Sequence, residues 1–191
     1  MHNEQIKKQT LDEVYQLYYD RNIIRNGDSC KIPLLGMING SKILFVGQNP
    51  GSPHGKHLEI FQDFLDLPYS EHQKTFKNSW KQSTFIKFII ALCDKASIDF
   101  NSDVTVTNIV KHWTINNARP DISFDDQKML ACEIHILQPK LVVFLSKFAA
   151  NSYIYKDLYN TKYLMLDHPA SRHYSSSYLE EAAIKIIEAI K

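Results

Sequence analysis

The chain predicts an α/β fold: a three-layer α/β/α sandwich around a central, mainly parallel four-stranded sheet. Three observations carry this expectation. Four short apolar runs, at 42–47, 104–110, 141–145 and 161–166, are dense in Ile, Leu, Val and Phe. Segments with helical spacing of apolar residues separate them. Runs such as LVVFL are continuous rather than alternating, as expected of strands covered on both faces.

In order, residues 3–20 place Ile6, Leu11, Val14, Leu17 and Tyr18 at helical spacing and predict an N-terminal amphipathic helix. Residues 21–41 hold Gly27, Pro33, Gly36 and Gly40 and read as loop. The first strand follows at 42–47. It ends at Gly47 in a tight turn, Gln48-Asn49-Pro50-Gly51, where Pro50 fixes one φ and disfavours helix at Asn49. Residues 52–57 look like exposed loop, with His54 and His57 at the surface. A helix is expected over 58–67, stopping before Pro68, then a polar stretch. A stronger helix is expected over about 80–96, with Phe85, Phe88, Ile89 and Leu92 on one face. VTVTNIV is the second strand and runs into a polar loop. Residues 125–137 form a helix with acidic residues in its first turn. Pro139 separates it from the third strand. Residues 147–155 look helical, 161–166 is the fourth strand, and the last helix covers about 178–190. Polar loops at three strand ends (47–57, 108–120 and 167–177) are expected to open on one rim, where open α/β sheets place their ligands.

Composition bounds the classes. At 191 residues the whole chain is expected to form one domain, with the helix over 1–20 and the core over 42–190. The formal net charge is +1, so a nucleic-acid partner needs a local basic face rather than bulk charge. Cys30, Cys93 and Cys132 are odd in number and far apart. That argues against a disulfide framework and, with no apolar signal core and no run long enough to span a bilayer, points to a cytoplasmic protein. The spacing suits no zinc site, and no metal is expected. Phosphate-cradling glycine motifs and nucleophile elbows are absent.

The three loops carry different tools. The first has Asn49 and the backbone amides near Gly51 and Ser52; the second has Asn108 and Lys111; the third has His168, Ser171 and Arg172. An amide and an imidazole without a strong nucleophile suit attack by water on a cationic centre with stabilisation of a departing anion. Each residue also has a plainer reading: Asn49 as a turn residue, Asn108 as a strand-end cap, His168 as a loop histidine, Lys111 and Arg172 as solvated charges.

Four motifs, in order, resemble the uracil-DNA glycosylase superfamily over roughly residues 42–175. GQNPG (47–51) resembles its water-activating motif, with Asn in third place as in the mismatch-specific and single-strand-selective branches. VTNIVK (106–111) is similar to the thermophile-type branch. QPKLVVFLSKFAA (138–150) resembles the Pro-Lys strand and its helix, and DHPASRHY (167–174) the His-Pro-Ser motif. The resemblance implies a DNA glycosylase that flips out a uracil or related pyrimidine, hydrolyses its N-glycosidic bond and leaves an abasic site. Asn49 is then implied to position the water and His168 to stabilise the departing base. Asn108 is implied to read the base edge, Gln48 to lie against the base and Phe61 to stack on it. Gly51, Ser52, Lys111, Ser146, Ser171 and Arg172 are implied DNA contacts. The expected partner is DNA, the expected state a monomer, and no cofactor is expected, because His112 stands where a cluster-binding branch has cysteine. The wedge filling the gap left by the flipped base is implied among Arg172, His173 and Tyr174. The unfamiliar 52–57 loop keeps a bulky modified cytosine, as in phage defence, open as substrate. A non-catalytic nucleic-acid-binding relative is the third reading. Trp113 can stack a base or anchor its own loop, and Cys93 and Cys132 read as core thiols.

Overall fold

A computed structural model describes residues 2–26, 29–50, 68–114, 118–169 and 174–191. Its centre is a five-stranded sheet in the order β3-β5-β4-β6-β7. Here β3 is Met37–Ile38, β4 Ile43–Gly47, β5 Val104–Asn108, β6 Leu141–Phe144 and β7 Lys162–Met165. β4 runs parallel to β5 and β6, and β6 parallel to β7. The expected four strands are therefore present, and a fifth is added. β3 pairs antiparallel with β5, Met37 opposite Val106. A two-residue strand with a glycine close on either side leaves no period to detect, which is why residues 21–41 read as loop in the sequence. They also hold a small hairpin, β1 (Ile24–Asn26) with β2 (Ser29–Lys31).

Strands β3 to β6 are buried along their whole length while the edge strand β7 is only partly covered, and β4 shows how the two faces are closed. Leu44 and Val46 face one core, with α1 (His2–Asn22) and α5 (Phe124–Leu137). Ile43 and Phe45 face the other, with α3 (Thr84–Lys95) and α7 (Ser176–Ile190). All four side chains are fully buried. Period-two geometry sends successive residues to opposite faces, so a strand between two helical layers must be apolar at every position. Burying each such side chain contributes about 1.5–3 kcal/mol. Three further helices complete the described elements: α2 (Tyr69–Trp80), α4 (Phe100–Asp103) and α6 (Lys147–Ser152).

Two helical expectations are corrected. The polar stretch before residue 80 is itself helix α2, whose inner seam of Tyr69, His72, Gln73 and Trp80 is buried. Two of those four are polar, so the seam does not register as apolar. The helix expected over 80–96 starts only at Thr84. Ser83 caps it, accepting from Ile86 N at 3.2 Å while donating to Trp80 O at 2.7 Å, and so ends one helix and begins the next. In α1 the buried seam is Leu11, Tyr15 and Tyr19, while Ile6 and Leu17 are exposed. The helix expected over 58–67 lies outside the described residues. Among the described residues, no helix is long and apolar enough to cross a membrane.

Candidate active site

The carboxyl ends of the parallel strands are level. Gly47 pairs with Asn108 in the β4–β5 ladder. Hydrogen bonds continue past both strand ends, from Ile109 N to Gly47 O at 2.9 Å and from Val110 N to Gln48 O at 3.0 Å. Leu145 N donates to Val46 O and Leu166 N to Phe144 O, each at 2.9 Å, carrying the register across β6 to β7. The loops bearing Asn49, Asn108, Ser146 and His168 therefore leave the sheet on one rim.

Asn49 is half-buried and anchored through its amide nitrogen. Nδ2 donates to Pro50 O at 3.1 Å and to Thr114 Oγ1 at 3.2 Å. An amide has two N–H donors, and both are committed. Its Oδ1 accepts from Gln48 Nε2 at 3.3 Å and keeps one lone-pair site. Thr114 is held in turn by donating to Ala118 O at 2.5 Å. Sequence reasoning passed over Thr114, because a lone threonine in a polar loop carries no pattern.

Asn108 is 2% exposed, yet its Nδ2 has no hydrogen-bond partner. Buried amide donors in folded proteins are nearly always paired, and leaving one unpaired costs about 1–3 kcal/mol. Gly47 makes room for this side chain. A Cβ at residue 47 would overlap Asn108 Oδ1 and come within 2.8 Å of Phe85 Cζ. The glycine therefore serves close approach of two side chains.

Phe85 links this pair to the third loop. Its ring stacks on His168, centroids 6.1 Å apart, and on Trp80 at 6.4 Å. The helical period of α3 groups Phe85 with the core, but it stands in the first turn and reaches the rim. His168 is half-buried, and burial lowers the pKa of its imidazole. The ring is therefore neutral at neutral pH. The chain entering its loop is tied down where Asp167 N donates to Tyr178 Oη at 2.9 Å.

Lys111 corrects an expectation. It is 0% exposed and cannot meet a phosphate. Its Nζ donates to both carboxylate oxygens of Glu133 at 2.8 Å, to Thr107 Oγ1 at 2.7 Å and to Asn108 O at 2.6 Å. Three ammonium protons are thereby used up. Ser146 is 7% exposed, and its hydroxyl caps α6 by accepting from Ala149 N at 3.0 Å. It has little surface left for DNA. Tyr174 turns inward onto Phe88, centroids 4.9 Å apart, which removes it from the wedge candidates. Trp113 packs against the first core, and a ring nitrogen of His112 lies 3.1 Å from Asn22 O. Cys93 and Cys132 are free thiols raised by burial, Cys93 to about 12. Phe61, Gly51, Ser52, His54, His57, Ser171, Arg172 and His173 lie outside the described residues, as does the side chain of Cys30.

A model of the uracil DNA glycosylase superfamily matches residues 35–190. Among solved structures, a solution NMR structure from Methanosarcina acetivorans, provisionally described as a uracil DNA glycosylase, is similar at 12% identity and a TM-score of 0.42. It covers 83% of this chain and 98% of its own. Among curated proteins, none matches the chain.

Proposed function

The chain belongs to the uracil DNA glycosylase superfamily, and on that premise we propose that it is a monofunctional DNA glycosylase. It hydrolyses the bond between a flipped-out pyrimidine, by default uracil, and its deoxyribose. The observation that carries this reading is the buried, unpartnered Asn108 Nδ2 on the same rim as an anchored Asn49 and a neutral His168.

The chemistry follows from those three groups. A paired base is out of reach, so it must be flipped out at a cost of a few kcal/mol. Asn108 Nδ2 then donates to a carbonyl on the base's Watson–Crick edge and gains the partner it lacks. Phe61 is assigned the stacking face, worth about 1–3 kcal/mol for one base. As the N1–C1′ bond breaks, its electron pair leaves with the base and the sugar becomes cationic. A water held by Asn49 Oδ1 bonds to C1′ and gives a C1′ hydroxyl; its surplus proton ends on the base. His168 donates an N–H to the base carbonyl where negative charge collects. One such preorganised donor is worth roughly 3–4 kcal/mol. A neutral imidazole can do this without losing its proton. An amide is a weaker proton acceptor than a carboxylate, so turnover is expected to depend strongly on the leaving group. Gln48, which bonds Asn49, is assigned to the base side of the pocket. Gly51, Ser52, Ser171 and Arg172 are assigned to the DNA backbone and the vacated gap.

The test is a panel of oligonucleotides carrying uracil, thymine mispairs, hydroxymethylcytosine or glucosylated cytosine, each treated with alkali after incubation. Strand breaks at uracil are expected, and none with the Asn49→Ala/His168→Ala double variant. Breaks at a modified cytosine alone would reassign the substrate. DNA binding with no break on any oligonucleotide would leave a non-catalytic relative.

A further inference from the structure

The N-terminal helix lies outside the residues that match the superfamily, yet one of its side chains enters the polar cluster beneath Asn108. Tyr15 is fully buried, and its hydroxyl donates to Glu133 Oε1. The same carboxylate oxygen accepts from Thr107 Oγ1 and Lys111 Nζ, each at 2.8 Å. Lys111 in turn holds the Asn108 carbonyl at 2.6 Å. Tyr15, Thr107, Lys111 and Glu133 are all 0% exposed. Gly36 admits the phenol: a Cβ there would lie 2.5 Å from Tyr15 Oη and 3.0 Å from Val106 O.

We propose that α1 is a positioning element for base recognition, acting through the chain Tyr15–Glu133–Lys111–Asn108. This rests on the reading of Asn108 as the residue that meets the base edge. The reasoning is one of saturation. Three donors converge on one carboxylate oxygen, and the lysine has no spare proton, so each member's place depends on the others. If Tyr15 withdraws, Glu133 Oε1 loses one of its three donors and is free to draw Lys111 away from the Asn108 carbonyl. Asn108 is then released at its main chain, while its side-chain amide has no bond through Nδ2 to hold it in place. A phenylalanine at residue 15 would fill the same space but leave the buried Glu133 carboxylate one donor short, so the hydroxyl both satisfies that charge and ties α1 to the group that holds the Asn108 main chain.

The test uses the full chain, labelled with nitrogen-15. The Asn108 side-chain amide pair is identified by its disappearance in Asn108→Ala. It is then followed in Tyr15→Phe and in Tyr69→Phe. The control removes another α1 contact, since Tyr69 Oη donates to Asp12 at 3.1 Å, but it does not enter the cluster. A shift of the Asn108 pair in Tyr15→Phe and none in Tyr69→Phe is expected. So is a fall in kcat/KM of about tenfold on the preferred oligonucleotide, roughly the worth of one hydrogen bond. Gly36→Ala, which pushes on the same hydroxyl, should move the same resonances and serves if Tyr15→Phe does not fold. An Asn108 pair that stays put in both Tyr15→Phe and Gly36→Ala, or moves equally in Tyr69→Phe, overturns the proposal. The resonance readout needs no catalysis. A wild-type protein that excises nothing therefore sinks the glycosylase reading while the positioning role is still decided.

Discussion

Replacing Gly47 with alanine should disable the candidate site while leaving the fold in place. The added methyl group would overlap Asn108 Oδ1 and lie 2.8 Å from Phe85 Cζ. The backbone cannot retreat to relieve this. Gly47 O and Gln48 O accept from Ile109 and Val110, and Gly47 sits opposite Asn108 in the ladder. The side chains must move instead: the Asn108 amide, and the Phe85 ring that stacks on His168. Overpacking of this kind costs about 1–3 kcal/mol of stability. Displacing a substrate-orienting group by about 1 Å costs about 100-fold in rate. Single-turnover excision from a uracil oligonucleotide measures the second effect, and urea unfolding measures the first. Loss of kcat/KM by about 100-fold in a protein that still unfolds cooperatively is expected. If Gly47→Ala folds and keeps kcat/KM within about threefold, Asn108 and Phe85 do not act from where they stand.

Lys111→Met should destabilise the fold by about 3–5 kcal/mol, because it strands a buried carboxylate, and Lys111→Met/Glu133→Leu should recover much of that in urea unfolding. In that folded double variant the salt dependence of DNA binding should match wild type, whereas losing a phosphate contact lowers the slope by about one. His168 titrates below the usual imidazole range of about 6.5 because it is partly desolvated. The unfolded chain therefore takes up its proton first. The stability linked to His168 is full above about pH 6.5 and is lost as pH falls through that value toward the folded one; His168→Gln should flatten this acid-side slope in urea midpoints. Asn49→Asp should be slower than wild type although a carboxylate is the better base, since it sets an oxygen against Pro50 O and loses both anchoring bonds, each worth about 1 kcal/mol. Faster excision by that variant would refute the anchored-amide account.

The layers of the fold were legible because burial on two faces imposes a pattern on the chain itself. ILFV and LVVFL read as short strands between helical layers, and both are fully buried there. Elements whose inner surface is polar escaped. Helix α2 buries His72 and Gln73 where a period search looks for aliphatic residues, and β3 is too short to have a period. The break between α2 and α3 is made by Ser83, inside the span expected to be one helix, because a serine caps a helix only where the following backbone amides turn toward it. Composition does not record that geometry.

The site divides along the same line. Asn49, Asn108 and His168 stand at strand ends, and strand ends are set by the apolar runs, so their convergence on one rim followed from topology. The partners of Asn49 and His168 did not, since each arrives from a distant part of the chain: Thr114 to Asn49 and Phe85 to His168. Lys111 lies only three residues from Asn108, but its grip on the Asn108 carbonyl depends on where its ammonium turns. Lys111 shows why motif position is a poor guide to role. Four residues after Thr107 in a basic-looking loop, it resembles a phosphate contact, and only the placement of Glu133, 22 residues onward, turns its ammonium inward. A buried charge persists where its partner and further hydrogen bonds satisfy it, and it is costly to disturb. The ion pair thus removes a cation from the rim of the candidate site and places it under the main chain of Asn108. On the proposed reading of Asn108, this tie to Lys111 supplements the strand pairing that holds its backbone at the last residue of β5.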